Sequence, residues 1–220
     1  MSTRSAEYLE AIEHLPAGAI LVFQQVSWEE YENLLGDLVD RPGLRVSYDE
    51  GRLEIMSPLP EHERYKEFVL RLAAVLSDEL DIPLESFGST TWRRRKLRKG
   101  AEPDTCFYVA DTQRIVGKRR ISLETDPPPD IIVEIDTTNE SVSKFPIYAA
   151  FGVPEIWRYD GNRVQMYELT RDLSYLEILA SRFLPYLTGA KLAEALEASK
   201  TQGHTGALKA FRQKIRGAKP

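Results

Sequence analysis

The residues that most constrain the fold form an apolar run with two carboxylates inside it, DIIVEID at residues 130–136. The isoleucines and the valine predict a strand that is buried on both faces. Because side chains alternate along a strand, Glu134 and Asp136 share one face with Ile132. An unpaired buried carboxylate costs several kcal/mol, and two that repel each other cost more. The chain must therefore bring cations to this strand or bind a metal ion there.

The length of 220 residues suits one domain with short extensions. The net charge is −5, but residues 199–220 hold six basic residues and no acid, which leaves −11 on residues 1–198. An acidic body excludes a protein that coats nucleic acid by charge alone. We expect an N-terminal extension at residues 1–19, one domain at 20–198 and a basic tail at 199–220.

The basic tail carries Leu208, Phe211 and Ile215 at helical spacing. Three large apolar residues are too few to offset the entropy of ordering the segment. We therefore expect a solvated or frayed end that folding does not require. A contact with a phosphate backbone or a partner is the alternative.

No apolar run approaches the ~18 residues of a membrane span, and the first residues lack the apolar segment of a secretory signal. Cys106 is the only cysteine, which excludes a disulfide within the chain and fits a reducing compartment. We expect a cytoplasmic protein without a membrane segment.

Periodicity along the chain predicts an α/β fold with a mixed β-sheet flanked by helices, preceded by a helix and hairpin extension. The clearest helix is at residues 61–80, where an apolar stripe recurs at helical spacing. Ser27 and Glu30 form a capping-box pattern at the start of an earlier helix, and residues 44–57 alternate as a β-hairpin does. Further segments follow: strands at 84–97, 104–110 and 130–136, a helix at 141–152, a hairpin at 154–169 and a last helix at 186–199.

Acids and a lysine are placed where they can meet. Asp104 opens one predicted strand, Glu134 lies in another, and Lys144 starts the following helix, so the three converge if the two strands are neighbours. His62 opens the long helix on the stripe that points towards the sheet. Oxygen ligands beside an ammonium suit a hard cation, Mg²⁺ or Mn²⁺, and Asp136 is a further candidate ligand.

Four segments, EPD at 102–104, IVEID at 132–136, SKFPIYAAFGVPEIWRY at 143–159 and GRLEIMSPLPEHERY at 51–65, resemble the PD-(D/E)XK, restriction-endonuclease-like superfamily. The resemblance is closer to its bacterial branch of uncharacterised Uma-type proteins and covers roughly residues 20–190. It implies a restriction-endonuclease-like core of the αβββαβ type and Mg²⁺-dependent cleavage of phosphodiester bonds.

Position by position, Pro103 and Asp104 match the PD of the motif, with Asp104 a metal ligand. Glu134 matches its second acid, also a ligand. The lysine of the motif then falls at 136, where this chain has Asp136. Lys144 supplies the missing ammonium from the following helix, or Asp136 is a third ligand, or the site binds metal without cutting efficiently.

Each of these residues also has a structural interpretation. Glu134 and Asp136 could form salt bridges with arginines, and Asp104 could close a turn. Lys144 could be a solvated lysine in a first helical turn, and His62 a histidine with its hydrogen bonds satisfied at a helix start. Glu54 and Glu63 are weaker site candidates that we expect to be surface acids.

The segment WRRRKLRK at residues 92–99 holds six basic residues. One interpretation is a charged edge strand that resists aggregation. The other is contact with nucleic acid beside the active site, in which Arg94 and Lys96 bind phosphates and Trp92 stacks on a base.

These patterns favour a metal-dependent endonuclease that acts on DNA, with Asp104, Glu134, Lys144 and His62 at its site. One alternative is a non-catalytic module that binds nucleic acid or protein with the same fold. Another is a hydrolase that uses paired carboxylates for acid and base catalysis, as glycosidases do. A homodimer is expected if the enzyme cuts both strands of a duplex.

Overall fold

The computed structural model describes residues 3–39, 43–138 and 140–217. Its helices are α1 (Thr3–Glu13), α2 (Trp28–Asp37), α3 (Pro60–Leu80), α4 (Thr112–Ile115), α5 (Phe145–Phe151) and α6 (Gly189–Gly217). Its strands are β1 (Ile20–Phe23), β2 (Arg45–Asp49), β3 (Arg52–Met56), β4 (Glu85–Ser86), β5 (Trp92–Arg94), β6 (Lys99–Ala101), β7 (Thr105–Tyr108), β8 (Ile131–Ile135), β9 (Glu155–Tyr159), β10 (Val164–Leu169) and β11 (Tyr175–Ile178). Short 3₁₀ helices lie at Arg95–Leu97 and Ser141–Lys144.

The described strands form two sheets, in the orders β1-β3-β2-β6-β5 and β11-β10-β9-β8-β7-β4. Strands β8 and β9 run parallel, whereas their neighbours β7 and β10 pair with them in antiparallel fashion. The second sheet is therefore mixed, as predicted. No helix among the described residues has both the length and the apolar character that a membrane span requires.

Local signals in the first half of the chain are confirmed. The side chain of Ser27 accepts a hydrogen bond from the Glu30 backbone, and the Glu30 side chain accepts one from the Ser27 backbone, so the capping box is formed. Strands β2 and β3 form the expected hairpin. Gly51 in its turn has a φ of +108°, a backbone conformation that glycine adopts without strain.

Strand β8 is buried on both faces, and its alternation is the predicted one. Ile131, Val133 and Ile135 pack in a core with α3 and α6. Ile132 instead packs in a second core with the apolar residues of α5. Glu134 projects from the same face as Ile132, and its hydrogen bonds to Lys144 and Tyr148 place it on the α5 side of the sheet.

A crossover connects β8 to β9 and carries the 3₁₀ helix Ser141–Lys144 and then α5. Pro146 sits in the first turn of α5, where its missing N–H costs nothing. Gly152 ends α5 with a φ of 78°. Parallel strands require such a crossover. After it, β9 pairs with β8 so that Arg158 lies beside Glu134 in the sheet register.

The basic segment at residues 92–99 is not one continuous strand. Strand β5 ends at Arg94, the 3₁₀ helix Arg95–Leu97 follows, and Arg98 has a φ of 48° before β6 begins. Strand β5 is an edge of the first sheet, which fits the interpretation of a charged edge. Trp92 is only 1% exposed, so the prediction that it stacks on a base is wrong: its ring is part of the core.

The prediction of a solvated tail is wrong for residues 199–217. Helix α6 continues past Ser199 and changes direction at Gly203, whose φ of 69° and ψ of 168° are not helical. Leu208, Phe211 and Ile215 are buried in the same core as α3. The sequence did not show which element these three side chains pack against. One face of α3 is enough to bury them.

Candidate active site

Asp104 immediately precedes β7, and β7 is the neighbour of β8, which holds Glu134, so the condition for the two acids to meet is fulfilled. Strand β7 pairs with β8 so that Thr105 is opposite Val133. One step further along this register places Asp104 opposite Glu134. The Oδ2 atom of Asp104 accepts a hydrogen bond from the Ile135 backbone at 2.7 Å, which holds the carboxylate against the strand.

Lys144 reaches this pair of acids from the crossover. Its Nζ lies 2.9 Å from Oε2 and 3.2 Å from Oε1 of Glu134 and also donates to the Glu102 carbonyl at 3.3 Å. Glu134 is 1% exposed and Lys144 6% exposed. The interpretation of Lys144 as a solvated lysine is therefore wrong.

Tyr148 is a site residue that the sequence reasoning missed. Its hydroxyl donates to Oε1 of Glu134. Burial and the neighbouring Glu134 hold the pKa of Tyr148 well above its ordinary value, so the hydroxyl keeps its proton. The signal was present in the sequence, because Tyr148 follows Lys144 by four residues and such residues share a helix face.

The charges of this cluster are coupled. Burial raises the pKa of Glu134 to about 8, and Asp104 and Asp136 add to that effect against the opposing attraction of Lys144. Burial acts to lower the pKa of Lys144, but the attraction of Glu134 and Asp104 raises it overall. Lys144 therefore remains an ammonium at neutral pH.

Asp136 has a different set of partners. Its Oδ2 accepts hydrogen bonds from the backbone and side chain of Ser141, at 2.9 and 3.1 Å, and from Nε of Arg158. The salt-bridge interpretation is thus the observed arrangement for Asp136. It ties the start of the crossover to β9.

Arg45, which begins β2, is a second residue that the sequence reasoning missed. It is 7% exposed, and its Nη2 binds Glu63 at 2.6 Å. Its Nε lies 3.6 Å from Oδ1 of Asp104, beyond hydrogen-bond distance, and has no hydrogen-bond partner among the described residues. A charged residue at the start of a hairpin strand gave no sequence signal for this position.

A model of the Uma2 family, described as "Putative restriction endonuclease", matches residues 28–199. The chain belongs to the Uma2 family. A solved structure of "a putative nuclease belonging to DUF820" from Anabaena variabilis is similar at 15% identity, with a TM-score of 0.51 over 77% of this chain and 98% of that one. A comparison with curated proteins found no match. The family and the restriction-endonuclease-like fold that the motifs implied are confirmed.

The donor atoms of this Uma2 domain fit a divalent cation at two carboxylates. Asp104 and Glu134 offer hard carboxylate oxygen atoms from opposite positions of the β7–β8 pairing, and Mg²⁺ commonly takes one or two protein carboxylates together with water and substrate phosphate. Among residues 3–39, 43–138 and 140–217, no group of three or more His, Cys, Asp and Glu side chains could hold a metal ion. Asp136 therefore does not complete a three-ligand set, because its salt bridge to Arg158 holds it elsewhere.

The other candidates of the Uma2 domain are placed as follows. His62 is buried, and its Nε2 lies 3.2 Å from Oγ1 of Thr138, just beyond the end of β8. Its contact is thus with the crossover rather than with the acids. Glu54 is buried and paired with Arg52 at 2.7 Å, so the expectation of a surface acid is wrong for it.

Two further candidates concern nucleic acid. Arg94 donates from Nη2 to the Leu123 carbonyl at 2.7 Å, so part of its guanidinium already binds the protein. Lys96 is exposed in the 3₁₀ helix after β5. Both phosphate contacts remain predictions.

Proposed function

We propose that this protein is a metal-dependent nuclease that hydrolyses phosphodiester bonds in DNA. The observation that carries the proposal is the ammonium of Lys144 on Glu134, next to Asp104, in a chain of the Uma2 family. The motif lysine is missing from position 136, yet a buried lysine reaches the second acid from the crossover. This arrangement supports Lys144 as the catalytic lysine.

Asp104 and Glu134 would hold Mg²⁺ or Mn²⁺, which polarises a phosphoryl oxygen and lowers the pKa of a bound water. The backbone N–H of Ile135 orients Asp104, and Tyr148 orients Glu134, so both carboxylates are fixed by their neighbours. Fixed ligands avoid reorganisation when charge develops in the transition state.

Lys144 acts as a hydrogen-bond donor and as a positive charge. Its Nζ donates to Glu134, and in the metal-free site the neighbouring Glu134 and Asp104 raise its pKa, which favours the ammonium form. Lys144 orients the attacking water and stabilises the negative charge that grows on the phosphate oxygens. His62 supports the site through the start of the crossover, where it contacts Thr138.

The first test is plasmid cleavage by the wild type and Lys144→Ala with Mg²⁺, with Mn²⁺ and with EDTA. Loss of a single transition-state donor predicts a rate lower by about a hundredfold or more. Lys200→Ala is the matched control, because Lys200 is also ion-paired with a glutamate but lies on α6. Equal rates for the two variants, or cleavage that persists in EDTA, would contradict the proposed mechanism.

A second test does not depend on cleavage. Mn²⁺ at a hundredfold excess over its dissociation constant should stabilise the wild type by about 2.7 kcal/mol. Glu134→Gln should lose most of that increase in melting temperature. An equal shift for both proteins would remove Glu134 from the metal site.

A binding module without catalysis is the second candidate, and Asp136 favours it, since a salt-bridged acid occupies the lysine position of the motif. Binding of DNA without cutting in either metal would support this alternative. The homodimer and the cytoplasmic location stay predictions.

A further inference from the structure

The protein has a cleft of about 980 Å³. Its walls come from α2, from residues 87–93 around the start of β5, and from residues 119–124. Arg45 and Glu102 line it as well. These two residues also contact the site, because Arg45 lies next to Asp104 and the Glu102 carbonyl accepts a hydrogen bond from Lys144. Asp104, Glu134 and Lys144 do not line the cleft themselves, but two of its lining residues contact them.

We call this feature the arginine cleft, because five arginines line it: Arg45, Arg93, Arg95, Arg119 and Arg120. Arg95 is neutralised by Glu29 and Glu32. Arg93, Arg119 and Arg120 are exposed and form no ion pair within the described part of the chain. Three acids also line the cleft, Glu32, Glu102 and Glu124, so its lining has two more arginines than carboxylates. In a protein with a net charge of −5, a concave surface with an excess of guanidinium groups points to an anionic ligand.

Arg45, which lines the cleft and also lies next to Asp104, adds a second, independent observation. Its side chain is more than nine-tenths buried, and its Nε–H has no hydrogen-bond partner among the described residues. A buried donor without a partner is costly to keep. A phosphate oxygen beside Asp104 would satisfy it.

We propose that the arginine cleft holds the phosphodiester backbone of one nucleic-acid strand. Arg45 donates its Nε–H to the phosphate next to Asp104, and Arg119 and Arg120 bind flanking phosphates. The assignment of the Arg45 phosphate as the one that is cut rests on the proposed nuclease function. The binding of the strand does not.

The test measures binding of fluorescently labelled oligonucleotides, single-stranded and duplex, by anisotropy in EDTA over a series of salt concentrations. Arg119→Gln/Arg120→Gln removes two phosphate contacts, so the slope of log Kd against log salt should fall by about 1.4 for a single strand or about 1.8 for a duplex. Arg71→Gln/Arg171→Gln is the matched control, since it removes the same charge from two exposed arginines that do not line the cleft. Equal changes in the two double variants would overturn the proposal.

Arg45 is tested by two substitutions. Arg45→Gln should lower the slope, whereas Arg45→Lys should keep the slope and bind more weakly, because it retains the charge and loses the Nε–H. A merely structural Arg45 would lower the melting temperature without a change in slope, and that result would overturn its role. If Arg45→Gln does not fold, the Arg45→Lys measurement decides.

These measurements separate the two proposals. A cleft that binds as expected in a protein that cuts with neither Mg²⁺ nor Mn²⁺ leaves the cleft standing and refutes the nuclease. Metal-dependent cutting with no loss of binding in Arg119→Gln/Arg120→Gln supports the nuclease and refutes the cleft.

Discussion

Glu134 in β8 and Glu79 near the end of α3 each have two side chains that donate hydrogen bonds to them, yet their pKa values shift in opposite directions. Hydrogen bonds from Arg216 and then Arg212, both on α6, lower the pKa of Glu79. Burial raises the pKa of Glu134 to about 8 in spite of Lys144 and Tyr148. The number of partners therefore does not decide the outcome; the balance between burial and the partners does, because burial is the largest cause at Glu134 and ranks below the Arg216 hydrogen bond at Glu79.

The two regions consequently contribute differently to folding. The Glu79 pair of salt bridges joins α6 to α3 at the surface and favours the docked helix. The ionised form of Glu134 is disfavoured by its surroundings, so this acid costs stability near neutral pH. A fold keeps such a group when it serves a ligand or a reaction, and perturbed acids of this kind cluster at functional sites.

The largest expected effect comes from removal of the part of α6 that follows Ser199. A chain that ends at Ser199 loses three large buried side chains of the main core, Leu208, Phe211 and Ile215. We expect it to lose most of its stability, measured as a large drop in melting temperature or a failure to fold. Phe211→Ala is a milder version and should cost about 3–5 kcal/mol. An unchanged melting temperature for both would return this segment to the role of a dispensable tail.

The second-largest expected effect is a change in the free energy of unfolding with pH that is due to the titration of Glu134. Its pKa is about 8 in the folded protein and about 4.3 in an unfolded chain. The unfolded chain therefore releases this proton first as pH rises, so stability falls between about pH 4.5 and pH 8, by several kcal/mol at most. Glu134→Gln should remove that decline, which urea denaturation at a series of pH values measures.

Tyr148→Phe is the control for this comparison. It keeps the carboxyl of Glu134 and removes one hydrogen bond that lowers the pKa of Glu134. The decline should therefore remain and extend to higher pH. A flat profile for the wild type would mean that Glu134 stays ionised in the folded protein at pH 5.

The smallest effect is expected at Glu79, and its sign is opposite. A lowered folded pKa contributes stability that is present above about pH 4.5 and is lost as pH falls through the folded pKa. Glu79→Gln should melt slightly below the wild type at pH 7 and equally with it near pH 2, and high salt should reduce the difference. A difference that persists at pH 2 would show that the effect is packing rather than charge.

Local sequence patterns correctly predicted the structural features that depend on interactions between residues close in sequence. The capping box at Ser27, the hairpin around Gly51 and the α3 stripe each depend on residues close in sequence, and the structure confirms them. Asp104, Glu134 and Lys144 were brought together because two predicted strands needed only to be neighbours.

Long-range partners were the part that the sequence could not supply. Arg158 reaches Asp136 only because β9 lies parallel to β8, and Arg45 reaches Asp104 from the other sheet. One of the two interpretations of residues 92–99 had Trp92 stack on a base, but its side chain lies in the core. A single sequence shows which side chains must be buried or paired, but not which element of the fold buries or pairs them.

The crossover between β8 and β9 also bears on how such sites change during evolution. Moving a side chain by one position along a strand turns it to the opposite face. A lysine on β8 can therefore reach Glu134 only from positions on the same face of the sheet. A lysine carried by the crossover is free of that alternation, and Lys144 approaches Glu134 from outside the sheet. Position 136 then does not have to hold a lysine, and in this chain Asp136 forms a salt bridge with Arg158. A motif search that requires lysine two positions after the acid would pass over this chain and any other chain built in the same way.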